Sequence, residues 1–95
     1  MMRWEIHTCF VSLGENYPNP FNPATIIRLT LPEATNVSLT VYDAVGREAR
    51  KLADRVFSEG LHEITFDASS LPSGLYFYTI RAGGYTKTRS MMLAK

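Results

Sequence analysis

Apolar and polar residues alternate along most of this chain with a period of two, the repeat of a strand whose successive side chains point to opposite faces of a sheet. In the run from Thr25 to Leu31, Ile27, Leu29 and Leu31 share one face, and Ile26, Arg28 and Thr30 the other. Pro32-Glu33-Ala34 ends that run. Val37, Leu39 and Val41 then alternate with Ser38, Thr40 and Tyr42. Asp43-Ala44-Val45-Gly46 follows with the Asp-first, Gly-last chemistry of a type I turn closed by a glycine bulge, so a hairpin is predicted there. Arg47 to Ala53 alternates least, and its Glu48-Ala49-Arg50-Lys51-Leu52-Ala53 contains good helix formers that can make one helical turn. So charged a run also suits the edge of a sheet, where charge discourages intermolecular pairing, and it is read as an edge strand. After Ser58-Glu59-Gly60, Ile64 and Phe66 alternate with Glu63 and Thr65, and Tyr76, Tyr78 and Ile80 lie opposite Phe77 and Thr79. Gly83-Gly84 is expected to supply the positive φ values of a tight turn before the chain returns through Tyr85 to Ala94. About seven strands, short loops and no convincing helix predict an all-β fold, an immunoglobulin-like antiparallel β-sandwich.

Two segments break the alternation. In Asn16-Tyr17-Pro18-Asn19-Pro20-Phe21-Asn22-Pro23 each proline fixes its own φ, removes a backbone donor and holds the preceding residue extended, so the tract is neither helix nor central strand. It reads as a stiff arm leading into the first long strand. Tyr17 and Phe21 are large aromatics that a solvated linker would not carry, and both are expected to dock on a sheet, burying about 150–250 Å² each. The second segment, Asp67 to Tyr76, contains Leu71-Pro72-Ser73-Gly74 and then Tyr76. A tyrosine near the start of a late strand can return its hydroxyl to backbone a few residues upstream and clamp a crossing between sheets. Tyr76 is placed for that role, with Gly74 taking a backbone conformation closed to other residues, Pro72 setting the turn and Leu71 plugging the end of the core.

Composition narrows the function classes. With 95 residues, 45% hydrophobic and 20% charged, the chain is an ordinary single domain with a modest core and no sign of disorder. A formal net charge of +1 gives no reason to expect nucleic acid or an anionic membrane as the main partner. The single Cys9 forms no internal disulfide. Met1 to Leu13 holds no apolar run of signal-peptide length, and no window approaches a membrane span.

Catalytic chemistry is sparse. His7 and His62 are the only imidazoles, and His62 sits beside Glu63 in a strand, where neighbouring side chains point apart. His7 and Cys9 can share a strand face, but two residues make a poor metal or nucleophile site. Asp43, Asp54 and Asp67 fall at turns, where aspartate ordinarily bonds nearby backbone; calcium at a loop stays open. Asn36-Val37-Ser38 fits the N-glycosylation pattern by three residues alone and is set aside. The sequence implies no catalytic residue and no cofactor, and the chain is read as not an enzyme.

The tail Lys87-Thr88-Arg89-Ser90-Met91-Met92-Leu93-Ala94-Lys95 alternates to the last residue. Met91 and Leu93 are expected to bury against the core while the backbone edge and the basic Lys87, Arg89 and Lys95 are presented outward, Arg89 and Lys95 as surface positions.

Taken in order, several motifs carry a resemblance: Phe10, Leu13, the tract Asn16 to Pro23, Thr25 and Ile27; then Val41-Tyr42-Asp43 with Gly46-Arg47; then Leu71-Pro72-Ser73-Gly74 with Tyr76; and a tail ending in lysine. From about Phe10 to Lys95 the chain resembles the C-terminal sorting domain of the type IX (Por) secretion system, type A, and it is similar to the immunoglobulin-like module of flagellar hook-capping proteins. The resemblance implies a non-catalytic signal at the end of large secreted hydrolases, adhesins and proteases, which directs its passenger across the outer membrane. The implied partners are the type IX translocon and a sortase-like cysteine protease that commonly removes the domain and couples the passenger to a lipopolysaccharide. The implied parent is secreted or held on the outer-membrane surface, passing through the periplasm. Tyr17, Pro18, Pro20, Phe21, Asn22 and Pro23 then form a structural motif, and Gly74, Tyr76, Lys87, Arg89, Met91, Leu93 and Lys95 the recognition features. On this reading residues 1–9 are a leader or the remnant of an upstream linker, and 10–95 the sorting domain. The family's domain follows a signal peptide and a passenger, which the residues before the proline tract do not resemble.

An accessory or carbohydrate-associated module of a cell-surface enzyme is the alternative, and it would need an exposed aromatic platform. Trp4, Tyr17, Phe21, Tyr42 and Phe77 are scattered along the chain, and most are expected to cover the core.

Overall fold

Strands with one apolar face need a second layer to bury it, and the chain supplies two sheets that do so. The computed structural model describes residues 11–95. It contains β1 (Ser12–Leu13), β2 (Ala24–Leu31), β3 (Thr35–Asp43), β4 (Glu48–Phe57), β5 (Gly60–Asp67), β6 (Gly74–Ala82) and β7 (Tyr85–Leu93), with no helix among the described residues. One sheet has the order β1-β2-β5 and the other β4-β3-β6-β7, all named pairs antiparallel. The chain crosses between sheets at 32–34, 58–59 and 68–73, giving the expected immunoglobulin-like sandwich.

The core follows the period-two pattern. Ile27, Leu29 and Leu31 of β2 and Phe66 of β5 face Val37, Leu39 and Val41 of β3, Tyr76, Tyr78 and Ile80 of β6, and Met91 and Leu93 of β7, all buried. Fully burying an aliphatic or aromatic side chain of this kind stabilises by about 1.5–3 kcal/mol.

The charged stretch after the first hairpin is an edge strand, and it extends to Phe57. Its poor alternation has a physical cause. Leu39 faces Ala53 while Thr40 faces Lys51, and Val41 faces Arg50 while Tyr42 faces Glu48, so Leu52 and Ala49 are extra residues at two bulges. Each bulge resets which side chains point inward, and Ala49, Leu52 and Ala53 all pack on the core. The preceding turn is the expected type I with a glycine bulge: the Gly46 amide donates to the Asp43 carbonyl at 3.0 Å, the Asp43 amide donates to the Arg47 carbonyl at 2.9 Å, and Gly46 has φ +92°. In the β6–β7 turn one expectation is corrected. The positive φ falls on Gly83 alone (+60°), so only the first glycine of the pair is conformationally required.

Candidate functional site

The corner between β5 and β6 is built as its residue types require. Asp67 begins it by accepting the Ser69 amide at 2.9 Å, and bonds from Ser69, side chain first and then backbone, hold the Asp67 carboxyl below the usual carboxylate range. The Leu71 amide donates to the Ala68 carbonyl at 2.9 Å, and half-buried Leu71 packs against the core. Tyr76 then donates its hydroxyl to the Pro72 carbonyl at 2.6 Å, the tyrosine-corner bond. Gly74 has φ +150°, a conformation side-chain-bearing residues rarely adopt, although a Cβ there would meet nothing within 4 Å.

Strand β7 lies against this corner. Its register with β6 is unbroken from Ala82 opposite Tyr85 to Gly74 opposite Leu93, which sets Tyr76 beside Met91. Met91 and Leu93 are buried as expected. Lys95 continues past the strand and is bonded twice, its amide to the Ser73 hydroxyl at 3.1 Å and its ammonium to the Ser69 carbonyl at 2.7 Å. Arg89 is half-buried and likewise tied. Its Nε donates to the Leu13 carbonyl at 2.8 Å, and Glu15 lies 3.9 Å away, so the guanidinium ties β7 to the segment after β1. Tyr78, opposite Arg89 in β6, adds a second tie through its hydroxyl to the Gly14 carbonyl at 2.9 Å, and burial pushes its phenol upward. Of the basic tail residues Lys87 alone stands exposed with neither a side-chain hydrogen bond nor an ion pair among the described residues.

The proline arm completes this end of the molecule. Phe21 bridges in parallel to Leu93: the Phe21 amide donates to the Met92 carbonyl and the Ala94 amide donates to the Phe21 carbonyl, both at 3.0 Å. The Asn19 side-chain carbonyl accepts the Met92 amide at 3.1 Å. A residue paired opposite Leu93 shares its inward face, and Phe21 is accordingly 1% exposed, 5.9 Å from the Phe66 ring. Tyr17 corrects the expectation that both aromatics dock. Its backbone pairs with Ile26, whose side chain lies on the outer face of β2, so the tyrosine ring follows it outward and is 72% exposed. The other members of the motif, Pro18, Pro20, Asn22 and Pro23, are exposed; Pro18 and Pro23 contribute backbone carbonyls, that of Pro23 accepting the buried Ala68 amide at 2.9 Å.

Sequence reasoning missed two buried polar residues that pin the arm. The Asn16 amide nitrogen donates to the Pro18 carbonyl and to the Thr25 hydroxyl, each at 3.1 Å, and that hydroxyl donates to the same Pro18 carbonyl at 2.8 Å. The signal was an asparagine and a threonine bracketing the proline tract, since extended proline segments leave carbonyls in need of donors.

Gly74, Tyr76, Met91, Leu93 and Lys95 therefore meet at one end of the sandwich together with Phe21, while Arg89 and Lys87 follow back along β7. No three His, Cys, Asp or Glu residues converge to hold a metal ion among the described residues. His62 bonds the Ser58 carbonyl at 2.8 Å and packs edge-on to Phe57, and the His7 and Cys9 pair, like Trp4 and Phe10, lies outside the described residues.

Residues 15–94 match the family model of the secretion system C-terminal sorting domain. The chain belongs to that family. No curated protein matches it. Sorting domains of this family are C-terminal signals for type IX secretion and are not catalytic, so this chain is a sorting signal recognised by the type IX system, and its parent is a secreted or cell-surface protein. The match spans the arm, the corner and almost all of the tail, the three parts that the fold brings together.

Proposed function

We propose that the sorting domain is read from its last strand and the corner beneath it. Gly74, Tyr76, Met91 and Leu93 hold the tail in one geometry, and Lys87, Arg89 and Lys95 present the positive charge recognised by the translocon. A sortase-like cysteine protease then separates the passenger from a domain covering 10–95, with residues 1–9 a leader or the remnant of an upstream linker. The chain itself catalyses nothing, and its parent passes through the periplasm on the way to the surface. The observation that carries this reading is the bonding of the tail to the corner and to the arm: Lys95 is fixed to Ser69 and Ser73, and Ala94 to Phe21. The alternative as a carbohydrate-associated module finds no platform among the described residues, where Phe21 is buried, Tyr42 and Phe77 are half-buried, and Tyr17 is the single exposed aromatic ring.

The test fuses the whole chain behind a signal peptide and a fluorescent passenger in a bacterium with a type IX system. Passenger is expected at the surface or in the medium, and export should fall in Lys87→Ala/Lys95→Ala with an unchanged melting temperature. Passenger left in the periplasm by the unaltered chain would overturn the proposal. Deleting Met91 to Lys95 is a poorer experiment, since it removes two core side chains and unfolds the signal it is meant to probe.

A further inference from the structure

Among the described residues, the outer edge of β7 is occupied along only part of its length. Met92 and Ala94 direct their amides away from β6, to Asn19 and Phe21, and the Met92 carbonyl also points that way. Backbone groups alternate sides along a strand, so Thr86, Thr88 and Ser90 direct their amides and carbonyls outward as well. The arm stops short of them. Between Asn19, which reaches Met92, and Glu15, which reaches Arg89, the chain swings away to pair Tyr17 with Ile26. It leaves a polar groove of about 350 Å³ lined by Glu15, Asn19, Thr88, Arg89 and Ser90. Thr88 and Ser90 are exposed there.

We infer that this open half of the edge, Thr86 to Ser90, is a strand-addition site, and that its occupant is an extended segment of a partner protein carrying acidic side chains opposite Lys87. The inference rests on the sorting reading above and specifies how the partner engages. Three observations select the occupant. The β6–β7 register is free of bulges, so the edge is a regular template. Lys87 and Arg89 lie on one face of the strand, and Lys87 has no carboxylate partner among the described residues, which favours negative charge on an added strand. The same cations oppose a second copy of this chain. In antiparallel pairing of two β7 edges, registers centred on Lys87, Thr88 or Arg89 place Lys87 against Lys87, Lys87 against Arg89, or Arg89 against Arg89, and like charges directly opposite are destabilising. The arm at Met92 to Ala94 blocks registers further along.

Proline makes the test specific. Ser90→Pro removes an amide hydrogen that points away from β6, so the internal ladder keeps its bonds and only the added strand loses one. In the export assay the unaltered chain and Ser90→Ala should deliver the passenger equally, whereas Ser90→Pro should cut export at least tenfold with its melting temperature within a few degrees of the parent. Lys87→Glu should cut export about as far and Lys87→Ala by two- to threefold. Export by Ser90→Pro at the parental rate, with the unaltered chain active, overturns strand addition and leaves the sorting reading standing; failure of the unaltered chain overturns the sorting reading itself. Parental export by Lys87→Glu overturns the acidic occupant. Should Ser90→Pro fold poorly, the exposed Lys87→Glu decides alone. Sedimentation of the unaltered chain should show a monomer, and a dimer abolished by Lys87→Glu or Ser90→Pro would make a second copy the occupant and overturn the inference.

Discussion

Strands β4 and β7 are the two edges of the same four-stranded sheet, and they keep stray strands away by opposite means. Two bulges interrupt β4, its solvent face carries Lys51 and Asp54, and Arg55, on the face it shares with Phe57, lies over that ring at 3.9 Å. Such an edge offers no regular row of donors and acceptors. The edge of β7 is straight, and its end is covered by another part of the chain: Asn19 and Phe21 satisfy Met92 and Ala94, and Arg89 and Tyr78 hold the segment after β1 alongside. Irregularity closes an edge permanently, whereas a straight edge under a partial cover remains a template where the cover ends. On the proposal above, the charged, bulged β4 is scaffold and the regular β7 is the edge that is read.

The largest expected effect breaks the cover. Phe21→Ala empties a fully buried site between the sheets and loosens the parallel bridge to Leu93, which should cost about 3–5 kcal/mol. A chain of this size then melts roughly 4–8 °C lower per kcal/mol. Tyr17→Ala, four residues away in the same tract but on the outer face, should change stability by no more than about 0.5 kcal/mol. Thermal melts of the two variants check the contrast. Equal losses would show that the paired residue does not set the face of each aromatic.

That contrast also marks how far the sequence could be read. The period-two runs placed the core of β2, β3, β6 and β7 correctly because each is a long strand buried on one face, and the Leu-Pro-x-Gly-x-Tyr spacing placed the corner bond because it is local, four residues from donor to acceptor. Tyr17 and Phe21 look alike in sequence, since both flank prolines. Their faces are decided by pairing with Ile26 and Leu93, partners that local spacing does not reveal. Bulges at Ala49 and Leu52 hid the inward side of β4 for a related reason: an extra residue shifts the alternation without leaving a compositional mark. Arg89 reads from sequence as a surface position because its acceptor, the Leu13 carbonyl, is 76 residues distant.

The next effect tests the tie in the middle of β7. Arg89→Ala leaves the Leu13 carbonyl without its charged donor and should cost about 1.5–3 kcal/mol. Lys87→Ala, on the same strand face but exposed, should cost within about 0.5 kcal/mol. Denaturant midpoints separate the two, and export measured on Arg89→Ala is interpretable only beside its stability.

Tyr76→Phe sharpens the comparison at the strand that β7 pairs with. Loss of the hydroxyl leaves the Pro72 carbonyl short of a donor, for an expected cost of about 1–2 kcal/mol. Gly74→Ala should lose about 1 kcal/mol through backbone strain alone, because a Cβ would meet no neighbour. Unchanged midpoints for both would remove the corner from the support of β7.

On the β4 side the turn that feeds the strand is expected to respond to pH. The Arg47 amide, ahead of the Val45 amide and the Arg47 side chain, holds the Asp43 carboxyl below its ordinary value of 3.8. A carboxyl depressed in the folded state contributes stability that is present above its unfolded pKa and is lost as pH falls through the folded one. Melting temperature should therefore drop less between neutral pH and about pH 3 in Asp43→Asn than in the parent. An equal drop in both would show that the turn carries no share of the acid sensitivity.

The smallest effect is expected on β4 itself, and its smallness is the point. Lys51 and Asp54 approach to 3.8 Å with side chains 49% and 54% exposed, a distance and exposure at which water screens most of the attraction and side-chain freedom opposes the rest. A double-mutant cycle with alanine at each position should give a coupling below about 0.5 kcal/mol, shrinking further with added salt. The pair is then present for its charge toward neighbouring molecules, the role an exposed edge requires, and contributes little to folding. A coupling as large as the Arg89 effect would mean that both edges are held by specific side-chain ties. In that case the straightness of β7, together with the end of its cover at Ser90, would be the only feature left to distinguish the strand that is read from the one that is not.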